Sequence, residues 1–145
     1  MSGFPRTTVK RSRIHGKGLF AGEAIEPGAP IVEYGGERIT RAEGRRRYAG
    51  KADDWLLPIS ARMAIDGGVG GTDARFANHS CEPNAELLVY KGRAFFVATA
   101  PIARGDEITL DYALEIRGEV DAITAMLSTS CSCGARRCRG TMLRE

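Results

Sequence analysis

The chain contains no run of 18 apolar residues, so nothing in it reads as a transmembrane helix. Met1 to Lys10 holds Phe4 and Pro5 but lacks the apolar stretch that a secretory signal needs, which gives an intracellular expectation. No repeat, low-complexity tract or obvious linker divides the 145 residues, so they read as one domain, long enough to bury a continuous core. Charge of one sign is scarce as well. The formal net charge is +3, less than a dedicated nucleic-acid binder shows. The clusters Arg45-Arg46-Arg47 and Arg136-Arg137-Arg139 read as solvated faces, with a weakly held acidic partner as the alternative. No cysteine precedes Cys81, and an intracellular setting keeps thiols reduced.

Two catalytic patterns are missing too. His15-Gly16-Lys17-Gly18 is glycine-rich but lacks the spacing of a phosphate-binding loop. Ser80 follows His79, yet no Gly-x-Ser-x-Gly elbow surrounds it, and adjacent residues rarely face each other as a catalytic pair.

Glycine is abundant, 18 residues or about one in eight, without any collagen-like period. That excess predicts many turns and close backbone approaches rather than long helices. Residues 7 to 20 read as an extended segment leading into the His15–Gly18 turn, and Pro30 to Gly36 as a strand. Thr40-Arg41-Ala42-Glu43 fits a capping box opening a short helix to about Tyr48, weakened by Gly44. Met63 to Asp66 predicts a strand, followed by a loop with four glycines between Gly67 and Gly71. Ala85 to Tyr90 and Arg93 to Thr99 are joined by Lys91-Gly92 as a hairpin. Glu107 to Tyr112 reads as a last strand, and Val120, Ile123, Met126 and Leu127 recur at helical spacing. The sum is a mostly β chain with two small helices.

The four cysteines are Cys81, Cys131, Cys133 and Cys138. A tetrahedral zinc ion takes four thiolates at about 2.3 Å and leaves no open position for water. Cys-x-Cys spacing is too tight for an easy mutual disulfide. The glycine after Cys133 would help Cys138 turn back to the same ion. Two disulfides, or four unrelated core thiols, are the alternatives. Asn78 and His79, in Arg75-Phe-Ala-Asn-His-Ser-Cys81, suit the gripping of a polar ligand, or equally a structural turn. Tyr112, alone after Asp111, reads either as a packed aromatic or as a functional phenol.

Taken in order, these blocks resemble the SET-domain family. The match runs through His15-Gly-Lys-Gly-Leu-Phe20, Glu33-Tyr-Gly-Gly-Glu37, Ile65-Asp66 with Gly71, and Arg75 to Cys81 with Pro83-Asn84. It continues through Gly105-Asp-Glu107 to Asp111-Tyr112 and closes with the cysteine tail and Arg139-Gly140. The resemblance implies a SET fold of several small β-sheets with short helices, a C-terminal pseudoknot and a zinc-bound post-SET tail. Its implied divisions are an N-terminal tail over 1–6, a SET domain over 7–118 and a post-SET segment over 119–145.

It also implies protein-lysine N-methyltransferase activity with S-adenosyl-L-methionine as methyl donor, S-adenosylhomocysteine as product and Zn2+ as structural metal. Cofactor would be held by Lys17, Gly18, Leu19, Arg75, Asn78, His79 and Tyr112, with Met142 or Leu143 over the adenine. The catalytic residues would be Tyr112 and Tyr34. The substrate lysine would enter a channel lined by Tyr34, Leu110 and Tyr112, and the metal would sit on Cys81, Cys131, Cys133 and Cys138. Leu110 stands where the family usually carries Phe or Tyr, which implies a roomy site giving di- or trimethyllysine.

The expected partner is a basic protein, histone or histone-like, met by an acidic lip of Asp53, Asp54, Glu115, Glu119 and Asp121. No membrane and no direct nucleic-acid binding are expected, and a homodimer is left open. The expected location is cytoplasmic for a bacterial source and nuclear, on chromatin, for action on eukaryotic histones. A binding module without turnover and a zinc-stabilised nucleic-acid binder are the rival readings.

Overall fold

The computed structural model describes residues 3–51, 54–112 and 130–143. Its described strands, in chain order, are β1 Thr7–Arg11, β2 Lys17–Ala21, β3 Pro30–Glu33, β4 Glu37–Thr40, β5 Leu56–Pro58 and β6 Met63–Asp66. They continue with β7 Asn78–His79, β8 Ala85–Tyr90, β9 Arg93–Ala98 and β10 Glu107–Leu110. Among the described residues one helix, α1, spans Arg41–Tyr48, and one 3-10 turn spans Asp73–Phe76. The strands form three small sheets, ordered β1-β2-β10-β7, β3-β9-β8 and β4-β6-β5.

The β8–β9 hairpin follows directly from its turn. Lys91 and Gly92 sit at φ 49 and φ 74, the left-handed pair of a two-residue type I′ turn whose twist matches the flanking strands. Along β9, Ala94, Phe96 and Ala98 are buried at every second position, so one face of the strand enters the core. Leu19, Ile31, Ile102 and Ile108 complete that core.

β10 is central: antiparallel to β2 through Glu107↔Phe20 and Ile108↔Leu19, and parallel to β7 through Thr109↔Asn78 and Leu110↔His79. Ile108, Thr109 and Leu110 are all buried, the pattern of a strand covered on both faces. The buried amide of Thr109 donates to Asn84 Oδ1 at 2.9 Å, so the side chain of Asn84 supplies a ladder partner.

Thr40 caps α1 as expected, its hydroxyl accepting from the Glu43 amide at 3.1 Å. The reciprocal half of the predicted capping box does not form. Thr40 lies in β4 opposite Met63, and the Glu43 carboxylate is drawn to Arg46 and Arg47 instead. Gly44 also has a reason that helix propensity does not reveal. A Cβ there would lie 2.7 Å from Leu56 Cδ1, so the missing side chain lets α1 pack onto β5. The stretch carrying Val120, Ile123, Met126 and Leu127 lies outside the described residues, as do Asp53, Glu115, Glu119 and Asp121.

Candidate active site and metal centre

The short parallel contact between β7 and β10 assembles the site. It sets Asn78-His79-Ser80 beside Thr109-Leu110, extended by the Ser80 amide donating to the Leu110 carbonyl at 2.9 Å. Just past β10 the chain folds back. The Tyr112 amide donates to His79 Nδ1 at 3.0 Å, and its hydroxyl donates to the Ala77 carbonyl at 2.6 Å. The two rings meet edge-on at 5.4 Å. Although 39% of Tyr112 stays accessible, its hydroxyl is turned inward. Burial, with the Glu107 carboxylate adding to it, pushes the phenol up to about 12. It stays protonated at neutral pH, so it orients rather than removes protons.

Tyr34, at the end of β3, is buried and packs in one apolar cluster with Leu110, Ala77 and Ile65. Its hydroxyl donates to the Trp55 carbonyl at 2.7 Å. Burial raises its ionisation far above the usual tyrosine range, and nearby Tyr112 raises it further. Leu110, two residues before Tyr112, packs with Tyr34 in the buried apolar cluster. A Cβ at Gly67 would lie 2.6 Å from the Tyr34 hydroxyl, so that glycine makes room for the ring.

The cofactor candidates also converge. Asn78 Nδ2 shares its two hydrogens among the carbonyls of His15 (3.1 Å) and Lys17 (3.0 Å) and Glu107 Oε2 (2.9 Å). Three oxygens around Nδ2 fix which way the amide points, and Oδ1 accepts no hydrogen bond among the described residues. Leu19 is fully buried in the core, so its side chain serves packing, and its strand is paired on both sides, with Val9 and Ile108 as its neighbours. Gly18 has an internal explanation: a side chain there would collide with the Glu107 carboxylate. Arg75 lies over Phe76 (4.8 Å) and Trp55 (5.5 Å) and donates from Nη1 to the Gly67 carbonyl at 3.2 Å. Its buried Nε has no hydrogen-bond partner among the described residues. Asn78 thus offers a carbonyl acceptor and Arg75 a buried donor, the two kinds of group that the ammonium and carboxylate of an amino acid require.

Sequence reasoning missed Glu107. Its carboxylate accepts from Ser12 Oγ at 2.8 and 2.9 Å and from Asn78, pinning the Gly-rich turn to β7. It lay inside a recognised block, Gly105-Asp106-Glu107, but a glutamate in a strand reads as surface charge until its distant partners are known. Leu143 is placed by its carbonyl, which accepts from Arg139 Nη2 at 3.2 Å. One arginine of each cluster is tied to acidic side chains of the fold. Arg47 pairs with Glu37, Glu43 and Asp66, and Arg139 grips Asp111 with both terminal nitrogens at 3.0 and 3.1 Å. Asp54 Oδ1 accepts from the Leu56 amide at 2.7 Å, so it caps a turn.

The four cysteines close into one cluster, with all four sulfurs within 4.8 Å of one another. Cys131 Sγ lies 3.8 Å from both Cys81 Sγ and Cys138 Sγ. A tetrahedron with metal–sulfur bonds of about 2.3 Å has edges of about 3.8 Å, whereas a disulfide needs about 2.05 Å. Backbone amides point at the sulfurs: Arg139 N to Cys81 (3.3 Å), Cys81 N to Cys133 (3.5 Å) and Gly140 N to Cys138 (3.4 Å). Such donors offset the surplus negative charge of four thiolates around one dication. Gly134, at φ 77, makes the turn between Cys133 and Cys138. Burial raises the Cys131 thiol, whereas at Cys133 burial is opposed by the amides of Cys81 and Ala135 together with hydrogen bonds from Cys138 and Cys131, and the net effect lowers it. The donor set fits zinc.

The SET domain family matches the chain over residues 16–113. This protein belongs to the SET-domain family. It is 42% identical over 139 residues to the histone-lysine N-methyltransferase set-2 of Caenorhabditis elegans, covering 90% of this chain and 9% of that protein. It is 36% identical over 140 residues to the histone-lysine N-methyltransferase trithorax of Drosophila virilis, covering 90% of this chain and 3% of that protein. Among solved structures it resembles a humanized mutant of the Chaetomium thermophilum Polycomb Repressive Complex 2. That likeness has a TM-score of 0.67 and 28% identity over 76% of this chain and 15% of the other. The chain thus spans less than a tenth of the length of these two curated relatives.

Proposed function

We propose that this SET domain is a protein-lysine N-methyltransferase acting on a histone or histone-like protein, with zinc as a structural metal. The observation that carries the reading is the placement of Tyr112. It is held at both ends by the His79–Ala77 segment and follows by two residues Leu110, which packs with Tyr34 in the buried apolar cluster. The relatives, named histone-lysine N-methyltransferases, support the same chemistry and a chromatin location.

S-adenosylmethionine, when bound, supplies a methyl group on a sulfonium sulfur. The backbone at Lys17, Gly18 and Leu19, with Asn78, His79 and Arg75, would hold it, and Leu143 would cover it. Every other contribution comes from positioning. In-line displacement needs the lysine nitrogen at near-attack distance on the axis of the breaking bond, and such alignment is worth several kcal/mol, up to about 7–11 in the best cases. Tyr112 and Tyr34 would orient the amine. The dry walls of Tyr34 and Leu110 disfavour its charged form, so the lysine reaches the site as the free amine that can attack. Leu110 leaves room for a partly methylated nitrogen, which favours di- or trimethyllysine.

The test is transfer of labelled methyl from S-adenosylmethionine to core histones, with Tyr112→Phe as control. Lysine-linked label with wild type and a strong loss in the variant supports the reading. No label on any basic protein, or equal label with Tyr112→Phe, removes it.

A further inference from the structure

The His79 ring has both nitrogens engaged, and they face different parts of the protein. His79 is buried, with 3% of its surface accessible. Nδ1 accepts the Tyr112 amide at 3.0 Å, so the ring proton belongs on Nε2. Nε2 lies 3.4 Å from Cys81 Sγ, one of the four clustered sulfurs. The Asp111 carboxylate near Nδ1 is held by Arg139. One ring thus stands between the sulfur centre and the backbone of the tyrosine.

We propose that His79 is a positioning residue whose side chain ties the placement of Tyr112 to metal occupancy of the four-cysteine centre. A bound metal fixes where Cys81 Sγ lies, the sulfur fixes Nε2, and the rigid ring carries that constraint to Nδ1 and the Tyr112 amide. Without metal, Cys81 can rotate and the ring loses its anchor on one side. Linkage is reciprocal: whatever the metal does for Tyr112, a correctly seated Tyr112 does for metal affinity. The cofactor contact expected of His79 then falls to its backbone, because the ring is occupied. This inference builds on the role given to Tyr112 above, but its readouts are an amide signal and metal affinity. It stands or falls separately from turnover.

The test uses the zinc-loaded protein labelled with 15N-tyrosine, whose four tyrosines give four amide signals. In wild type, removing zinc with a chelator should shift the Tyr112 amide and speed its hydrogen exchange while Tyr90 stays in place. His79→Asn keeps an acceptor near Nδ1 but no donor at the sulfur. Its Tyr112 signal should respond to zinc removal much less than wild type, and its zinc Kd should rise on the order of tenfold. His79→Gln keeps a donor that reaches the sulfur, so zinc affinity should stay near wild type while the Tyr112 signal shifts even with zinc bound. A Tyr112 amide indifferent to zinc in wild type overturns the proposal without any variant. So does an equal response in His79→Asn, or a collapse of all four signals together on chelation.

Discussion

Glu107 and Asn78 are joined at 2.9 Å by a carboxylate–amide hydrogen bond that spans 29 positions of sequence. That bond, together with those to the His15 and Lys17 carbonyls, sets which way the Asn78 amide points. Glu107→Ala should leave the fold intact by circular dichroism but let the amide swing. Hydrogen bonds to charged groups contribute about 1.5–3 kcal/mol, so S-adenosylhomocysteine affinity by calorimetry should fall roughly ten- to hundredfold. Unchanged affinity would show that Asn78 needs no orienter.

The phenol of Tyr112 should reveal itself at high pH. Its pKa is raised from an ordinary value of 10 to about 12, so the folded state holds its proton more tightly than the unfolded chain. The stabilisation is complete below pH 10 and is lost as pH rises from 10 towards 12. Thermal unfolding followed across that window should fall more steeply for wild type than for Tyr112→Phe. Identical alkaline slopes would mean the hydroxyl is not buried against Ala77.

Leu110 is 8% accessible and ends β10 opposite His79. Leu110→Tyr adds bulk and a hydroxyl where the amine would sit, so products should move from di- and trimethyllysine towards monomethyllysine by mass spectrometry. Overpacking should cost about 1–3 kcal/mol of stability. A wild-type enzyme that stops at monomethyllysine on exhaustive turnover removes the idea at once.

Gly67→Ala tests how Tyr34 is seated. The added carbon would meet the tyrosine hydroxyl, which donates to the Trp55 carbonyl, the same oxygen that accepts the Gly67 amide. A loss of about 1–3 kcal/mol is expected, with KM for the protein substrate rising more than kcat falls. The opposite split, with KM unchanged, would place Tyr34 outside substrate binding.

Several features were readable before any coordinates. Lys91-Gly92 announces its turn because only left-handed conformations suit a two-residue hairpin, and Thr40 announces a helix start because its hydroxyl reaches its own neighbours. The cysteine tail was legible from spacing, and the edges of 3.8 Å agree with it. Other features were hidden. β5 is three residues long, too short for periodicity to register, and exists because β6 offers it a partner. Gly44 looked like a weakness in α1 until Leu56 appeared against it.

By itself the sequence determined the local turns and caps and the set of residue types able to bind metal and orient an amine. These depend on neighbours within a few residues, whose geometry the backbone constrains strongly. Tertiary structure alone decided that Glu107 orients Asn78, and that the ring of His79 faces a sulfur on one side and the Tyr112 amide on the other. Such pairings follow from which distant segments lie side by side. That depends on closing long loops around a shared core, a cost and a gain that no short stretch of chain contains.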